Sequence, residues 1–237
     1  MMKKILISGG NGEFAKQILK YNKLFKIFAP TKKEMDITKL ESIIQFIKKK
    51  KITYFIHAAA LTKPMSQHDN KIEESIKINI IGTSNVVIAC NLFQIKIIYI
   101  STNFVYPGIK GNYKETDHLM PVNSYGWSKL GGECAVKLYK NSLILRICMT
   151  EDTFPHKIAY TNYITSFLKK SDAAKIILKL INKKGIMNIG GEKSSAYDFA
   201  KKNNKEVKRG IMPKNKNNLI GYNTSLNIKK LKSLNYF

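Results

Sequence analysis

The stretch KILISGGNGEFA, residues 4–15, decides how the rest of the chain is interpreted. Its first five residues form an apolar run that predicts a buried strand, and a glycine-rich turn follows at once. Beyond the turn, Ile18 and Leu19 mark the apolar side of a predicted helix. The sequence therefore opens with a strand, a glycine turn and a helix in direct succession.

The spacing of the small residues fits two versions of one motif, Gly10-x-Gly12-x-x-Ala15 and Gly9-x-x-Gly12-x-x-Ala15. A tight turn needs backbone angles that a Cβ disfavours, and a pyrophosphate has to approach bare N–H groups at a helix N-terminus. A glycine turn that only redirects the chain is the alternative. Because this motif joins a buried-type strand to a helix, we predict a dinucleotide site.

Length and composition narrow the class of protein. The 237 residues suffice for one large domain, or for one domain with a small appendage. No run approaches 18 apolar residues, and no secretory leader pattern opens the chain, so we expect a cytoplasmic protein without membrane association. Cys90, Cys134 and Cys148 match neither a disulfide framework nor a metal-ligand spacing, and we expect no bound metal.

The formal net charge of +25 raises the question of a nucleic-acid partner. Only Arg146 and Arg209 are arginines, so lysine makes up nearly all of the 41 basic residues. Phosphate-binding surfaces favour arginine for its planar fork, whereas these lysines are spread along a chain that is also rich in Ile and Asn. We expect no nucleic-acid partner, although the positive field would steer small anions towards the protein.

Strand-like runs alternate with helical patterns over the first 150 residues. Strands are predicted at 3–8, 25–29, 53–57, 96–101 and 142–147, and helices near 13–21, 39–50, 71–93 and 125–139. Alternation with continuous apolar strands predicts an α/β fold, a Rossmann-type doubly wound parallel sheet that is covered on both faces.

The pattern changes after Arg146. A helix is predicted near 171–183 and a short strand near 186–189. We therefore predict an NAD(P)-binding Rossmann domain over residues 1–150 and a small C-terminal substrate-binding lobe over 151–237, interleaved with the main domain.

The spacing Tyr-x-x-x-Lys places both side chains on one face of a helix. There the ammonium would lower the pKa of the phenol and make it a better proton shuttle. Chance alone gives about two such pairs in so lysine-rich a chain. It has three, Tyr106/Lys110, Tyr125/Lys129 and Tyr197/Lys201.

Context selects Tyr125 and Lys129 from the three pairs. Tyr125 begins a predicted helix and follows the strand 96–101, whose end carries Ser101-Thr102-Asn103. Ligands of open α/β sheets bind outside the carboxyl ends of the strands, so a hydroxyl at this strand end can meet the same substrate oxygen as Tyr125.

Ordered matches along nearly the whole chain give it a family resemblance. The chain resembles the extended short-chain dehydrogenases/reductases, and within them the nucleotide-sugar 4-ketoreductases of the dTDP-4-dehydrorhamnose reductase type. The matching segments are 9–15, 35–38, 56–62, 79–83, 100–106, 115–117, 124–133, Arg146, 170–174, 187–191 and 225–231.

The resemblance implies roles for individual residues. The pyrophosphate turn would comprise Gly9, Gly10, Asn11, Gly12, Glu13 and Phe14. Asp36 and Ile37 would face the adenine, and the residues near the nicotinamide would be Ala58, Ala59, Ala60 and Thr62. Thr102 would bind the substrate carbonyl, Tyr125 would donate a proton as hydride arrives, and Lys129 would hold the nicotinamide ribose. Substrate contacts would come from Thr102, Asn103 and Met149.

The end of the second predicted strand bears on the choice of cofactor. An enzyme that uses NAD commonly has an acidic residue there for the ribose 2′-hydroxyl. The segment 28–33 has none, and its Lys32 and Lys33 can meet a 2′-phosphate. This favours NADPH, with NADH as the alternative.

The resemblance implies NADPH-dependent reduction of the 4-keto group of a nucleotide-diphosphate-linked 4-keto-6-deoxyhexose, in biosynthesis of a rhamnose-like deoxysugar. A bifunctional epimerase/4-reductase of a nucleotide (acetamido) sugar is one alternative, and a non-catalytic NADP-binding regulatory subunit is another. Thr102, Tyr125 and Lys129 favour an enzyme. By analogy with such folds, a homodimer would form through helices 71–93 and 125–139.

Three departures from the family pattern concern the substrate side. Asn103 stands where the family commonly has Asp, and Met149 stands where an aromatic residue is usual. Only 25 residues lie between Arg146 and Asp172. We therefore expect an abbreviated substrate lobe.

Overall fold

The computed structural model describes residues 2–213 and 221–235, and its centre is a parallel β-sheet with helices on both faces. The strands are β1 (Lys4–Ser8), β2 (Lys26–Phe28), β3 (Tyr54–His57), β4 (Lys96–Thr102), β5 (Ser142–Ile147), β6 (Met149–Thr150), β7 (Ile158–Tyr160), β8 (Ile164–Thr165), β9 (Leu168–Lys169), β10 (Gly185–Ile189), β11 (Ser194–Ser195) and β12 (Lys208–Gly210). The helices are α1 (Glu13–Tyr21), α2 (Leu40–Lys48), α3 (Gln67–Asn70), α4 (Ile72–Ser75), α5 (Gly82–Leu92), α6 (Ser124–Leu138), α7 (Lys170–Leu180), α8 (Ala196–Asn203) and α9 (Lys229–Lys232), with a π-helical turn at Ile76–Ile81 and a 3-10 turn at Asn103–Val105.

The six strands of the main sheet lie in the order β10-β5-β4-β3-β1-β2, and every neighbouring pair is parallel. The chain runs from β1 outwards to β2 and then returns to β3 on the other side of β1. In such sheets the crevice for a ligand lies at the carboxyl ends of the strands, at the point where the order reverses. The predicted α/β class and Rossmann-type sheet are confirmed.

Two apolar layers cover this sheet because successive strand residues point to opposite faces. Ile5 and Ile7 belong to a layer with side chains of α1 and α7, whereas Leu6 belongs to a layer with side chains of α2 and α5. The predicted strands read as continuous apolar runs since both faces are buried.

A long helix lies between α3 and β4. α4, the π-helical turn and α5 continue into one another, so Ile72–Leu92 is a single 21-residue helix. Within the described residues it is the one helix whose length and mean hydropathy of 1.2 would also suit a membrane crossing, and 44% of its most apolar window is buried. In the fold it packs against α2 and α6.

The last third of the chain contributes to both parts of the molecule. α7 packs on α1, and β10 extends the main sheet beside β5. The segments 149–169, 190–213 and 221–228, here the C-terminal lobe, form the two-stranded pairings β6–β9, β7–β12 and β8–β11. Two small apolar clusters hold the lobe together, one around Phe154 and one around Tyr163. The predicted division of the chain at residue 150 stays a prediction.

Candidate active site

The glycine turn presses against the end of the neighbouring strand β2. Gly9 has a φ of +77°, and a Cβ on Gly10 would lie 2.2 Å from the carbonyl oxygen of Ala29. The Gly12 N–H donates to the Gly9 carbonyl at 2.9 Å and closes the turn. A side chain at Gly9 or Gly10 would therefore strain or displace this backbone.

The start of α1 offers an open cradle for an anion. Asn11, Gly12 and Glu13 are exposed, Phe14 is buried beneath them, and no side chain caps the helix. The carboxylate of Glu13 pairs with Lys16, whose hydrogen bond lowers the pKa of that carboxyl. The backbone N–H groups, and not this carboxylate, are thus the groups that fit a dinucleotide pyrophosphate.

The loop after β2 carries exposed Lys32 and Lys33. Between them and α2, Glu34 accepts a hydrogen bond from the Thr31 N–H at 2.7 Å. This carboxylate therefore stabilises the turn at residues 31–34. The loop presents lysine side chains to solvent at the place where a cofactor 2′-phosphate would be expected.

Asp36 and Ile37 lie in the next turn. The Asp36 carboxylate accepts hydrogen bonds from the backbone N–H and the hydroxyl of Thr38, at 2.9 and 2.8 Å. Ile37 is buried, and a Cβ on Gly82 would lie 2.9 Å from its Cδ1 atom. The structure thus gives Asp36 a local turn-forming role in addition to its predicted place beside the adenine.

The segment after β3 lies against the glycine turn. Ser8 Oγ accepts hydrogen bonds from the N–H groups of Ala58 and Ala59, at 3.2 and 3.1 Å, and a Cβ on Gly9 would lie 3.1 Å from Ala59 Cα. Ala60 is half-buried beside them, whereas Thr62 is exposed. Sequence reasoning missed Ser8, although its position as the last residue before the glycines was a signal.

Thr102 and Tyr125 meet at the carboxyl edge of the sheet. Thr102 is the last residue of β4 and Tyr125 is the second residue of α6, and the Thr102 side chain lies close enough to Tyr125 to influence its pKa. Asn123 caps α6 by accepting from the Gly126 N–H at 2.7 Å. A Cβ on Gly126 would lie 2.4 Å from the Phe104 carbonyl oxygen, so the helix start fits closely against the chain after β4.

Burial dominates the electrostatics of Tyr125 and Lys129, the predicted catalytic pair. It raises the pKa of Tyr125 to about 12, against the opposing hydrogen bond from Thr102. Burial also lowers the pKa of Lys129 to about 7, against the attraction of Glu133. The Lys129 ammonium lies 4.3 Å from the ring centroid of Tyr99. The predicted lowering of the Tyr125 pKa by Lys129 stays a prediction.

His57 and Asn79 connect the cofactor side to α6. His57 is buried between the hydroxyls of Ser8 and Thr83, at 2.8 and 3.0 Å, and burial lowers its pKa to about 3. The Asn79 side chain accepts a hydrogen bond from the Leu61 N–H and donates to the Leu61 carbonyl and the Ser128 hydroxyl. These contacts fix the segment after β3 to the helix that carries Tyr125.

A buried polar cluster from the C-terminal lobe lies next to the end of β4. Asn103 Nδ2 donates to Thr165 Oγ1 and to the Thr224 carbonyl, both at 3.4 Å. Cys148 Sγ lies 3.1 Å from Thr165 Oγ1, and burial raises the pKa of this thiol to about 12. Met149 is half-buried at the start of the lobe. The predicted substrate residues thus lie where the lobe meets the sheet.

The other two Tyr-x-x-x-Lys pairs have different surroundings. Tyr106 hydrogen-bonds Arg146 and Asn188 in a buried network, while Lys110 pairs with Asp117. Tyr197 and Lys201 lie on α8 in the C-terminal lobe. Within residues 2–213 and 221–235, no three His, Cys, Asp or Glu side chains converge in a way that could hold a metal.

Comparisons with known proteins agree with this geometry. The family model described as the RmlD substrate binding domain matches residues 2–184. A dTDP-4-dehydrorhamnose reductase from Aggregatibacter actinomycetemcomitans is 29% identical over 229 residues, which cover 84% of this chain and 77% of the relative. A GDP-6-deoxy-D-talose 4-dehydrogenase from the same species is 32% identical over 146 residues, which cover 58% of this chain and 48% of the relative.

A solved structure has the same fold. The dTDP-4-dehydrorhamnose reductase of Bacillus anthracis, in complex with NADP, superposes with a TM-score of 0.87 at 25% identity and covers 100% of this chain and 93% of that one. The family model extends over most of the chain, from β1 through α7. The chain therefore belongs to the RmlD family of extended short-chain dehydrogenases/reductases.

Proposed function

We propose that this protein reduces the 4-keto group of a nucleotide-linked 4-keto-6-deoxyhexose with NADPH, in the biosynthesis of a rhamnose-like deoxysugar. The observation that carries the proposal is the placement of Thr102, at the end of β4, next to Tyr125, with Lys129 one turn further along α6. This pair lies at the carboxyl edge of the sheet, where an open α/β fold binds its ligands.

The glycine turn and the segment after β3 would hold a nicotinamide cofactor, which would supply a hydride for the carbonyl carbon. The hydroxyls of Thr102 and Tyr125 can both hydrogen-bond the carbonyl oxygen. Since burial raises the pKa of Tyr125 to about 12, the phenol keeps its proton at neutral pH and can donate it as negative charge develops on that oxygen. The product is the alcohol, with hydride on carbon and the tyrosine proton on oxygen.

Two observations support NADPH as the cofactor. The loop after β2 presents Lys32 and Lys33 and has no acidic residue before Glu34, whose carboxylate bonds the Thr31 N–H. The related reductase from Bacillus anthracis holds NADP. NADH is the alternative, and the ratio of the two kcat/KM values measures the preference.

In this proposal the C-terminal lobe selects the sugar nucleotide. Named relatives act on dTDP-linked and GDP-linked sugars, so the nucleotide base stays open. A combined epimerase/4-reductase remains the second candidate within the same class. The complete set Thr102, Tyr125 and Lys129 favours turnover over a regulatory subunit that only binds NADP.

The location and the assembly of the protein are part of the proposal. Biosynthesis of a nucleotide sugar suits a cytoplasmic enzyme. A homodimer through Ile72–Leu92 and α6 is supported by the exposed apolar side chains on these helices, which include Ile88, Leu92, Trp127 and Leu138. Sedimentation analysis tests the dimer, and Trp127→Lys should shift it towards the monomer.

The function is tested by following NADPH absorbance with a panel of dTDP-, UDP- and GDP-linked 4-keto-6-deoxysugars in deuterated water. Oxidation of NADPH with one nucleotide series is expected and identifies the base. Ring deuterium at C3 or C5 of the product would show that epimerisation accompanies reduction. Tight NADPH binding without oxidation of any substrate would contradict the reductase and favour the regulatory subunit.

A further inference from the structure

His68 is a buried histidine that touches the catalytic tyrosine and has no place in the reaction described above. It lies in α3, and its side chain is 1% exposed. The ring centroids of His68 and Tyr125 are 5.1 Å apart with an interplanar angle of 56°. Because aromatic rings interact favourably at such separations, His68 is a direct neighbour of the proton donor.

One ring nitrogen of His68 is anchored and the other is free. Nδ1 lies 2.7 Å from Ser75 Oγ, on the helix that follows. Nε2 is buried and, within the described residues, has no hydrogen-bond partner. A buried polar atom without a partner destabilises the folded state. The contact between Nδ1 and Ser75 is therefore the hydrogen bond that holds this ring within the described residues.

Burial disfavours a positive charge on the ring of His68. Burial lowers its pKa, although Asp69 opposes the shift. A doubly protonated ring would also bury a second N–H without an acceptor. His68 can therefore contact Tyr125 without placing a positive charge beside the phenol.

Two further contacts fix the same part of the site. Phe104 meets the Tyr125 ring edge-on, with centroids 6.0 Å apart. The hydroxyl of Ser124, the residue before Tyr125, donates to the Asp69 carboxylate. α3 therefore holds both the start of α6 and the ring of Tyr125.

We propose that His68 is a positioning residue of the reductase site, which holds the ring of Tyr125 at the angle needed for proton donation and is itself held by Ser75. This inference rests on the proposed function, since the ring angle matters only if Tyr125 donates a proton. A positioning contact of this kind acts on the chemical step and leaves cofactor binding nearly unchanged.

Three variants separate the ring from its anchor. His68→Ala removes the ring, and we expect kcat to fall 10- to 100-fold while the KM for NADPH changes less than about threefold. His68→Phe restores a ring without the anchor, and we expect kcat within about fivefold of the wild type. Ser75→Ala keeps the ring and removes its anchor, and we expect kcat within about fivefold of the wild type here too. His118→Ala, at an exposed loop position, is the control and should change nothing.

Other outcomes would overturn the proposal. Unchanged kcat in folded His68→Ala protein would remove the positioning role. A raised KM for NADPH at constant kcat would make His68 a cofactor contact. A His68→Phe variant as slow as His68→Ala would show that a nitrogen acts and not the ring. Thermal unfolding of each variant identifies any loss of activity that reflects a loss of fold.

A measurement without substrate keeps this test independent of the proposed function. In protein labelled with ¹³C on its tyrosine rings, the Tyr125 signals are identified by their loss in Tyr125→Phe. We expect His68→Ala to average the two edges of the Tyr125 ring through faster flipping, and His68→Phe to keep the wild-type pattern. An identical pattern in all three proteins would contradict the positioning role of His68, even if the wild type reduced no substrate.

Discussion

The catalytic framework (β4, β5 and α6) and the C-terminal lobe differ in how they are held together. In the framework, Arg146 and Glu133 form a buried ion pair whose carboxylate also accepts from Ser101. The lobe is held together by three two-stranded pairings and two small apolar clusters. The framework is thus built for fixed geometry, as a proton donor requires.

The lobe has little buried apolar surface of its own. Leu168, Leu226 and Ile228 join it to the main apolar core, and polar groups complete the boundary, among them Asn103 and Cys148 with Thr165. Segments with few buried apolar contacts open more readily than a central sheet. Changes in the framework should therefore alter catalysis or global stability, whereas changes at the polar boundary should alter substrate binding.

The largest effect is expected from Tyr125→Phe in the framework. Removing the proton donor should lower kcat about 10²- to 10⁴-fold, the usual contribution of general acid catalysis, while the Kd for NADPH stays within about twofold. Single-turnover kinetics and fluorescence titration of NADPH measure the two quantities. Tyr197→Phe in the lobe is the control, because this tyrosine also has a lysine four residues on. Unchanged turnover in Tyr125→Phe would refute the assignment of the acid.

The next effect tests the rigidity of the framework. Glu133→Gln leaves the guanidinium of Arg146 buried without a counter-charge, and we expect a loss of about 3–5 kcal/mol in the free energy of unfolding. Urea denaturation measures this loss. Glu192→Gln removes an exposed ion pair with Lys232 and should cost less than about 1 kcal/mol. Equal losses in the two variants would mean that the buried pair is not the stronger support.

A pH-dependent effect follows from the burial of Lys129. Its folded pKa of about 7 lies below its value of 10.5 in the absence of burial. Between these values the unfolded chain binds more protons, so stability rises with pH across this window. Lys129→Met removes this contribution. The variant should be more stable than the wild type by a few kcal/mol at pH 7, since one pKa unit corresponds to about 1.4 kcal/mol, and the difference should shrink towards pH 10.

Chemical denaturation at several pH values measures that difference. Lys137→Met, at an exposed position of α6, is the matched control and should show no such trend. A constant difference between Lys129→Met and the wild type from pH 6 to pH 10 would mean that Lys129 does not titrate in this range.

The smallest effect concerns the boundary between the framework and the lobe. Asn103→Asp introduces the residue that is common in the family, but it replaces the Nδ2 donor with an acceptor facing the Thr224 carbonyl. We expect a loss of about 1–2 kcal/mol in stability and a KM for the sugar nucleotide that rises more than kcat falls. Asn91→Asp on the surface is the control. Improved substrate binding in Asn103→Asp would show that the boundary rearranges freely.

Much of the framework could be predicted from the sequence because its signals are local. The glycine turn, the apolar strands and the Tyr125/Lys129 spacing depend on residues within one turn or one strand of each other. Every predicted strand and helix of the first 150 residues is present within three residues of its expected bounds. The roles assigned to the individual site residues stay predictions until the variants above are measured.

The sequence by itself thus determined the α/β class, and it predicted the cofactor turn and the choice of Tyr125 among three tyrosines. Only the tertiary structure decided that Lys129 faces Tyr99, that His68 contacts Tyr125 and that Asn103 meets Thr224. These contacts join residues that are 30, 57 and 121 positions apart in the chain. The periodicity of a single element carries no information about such distant neighbours, because packing of the whole chain sets both their contacts and the burial that shifts their pKa values.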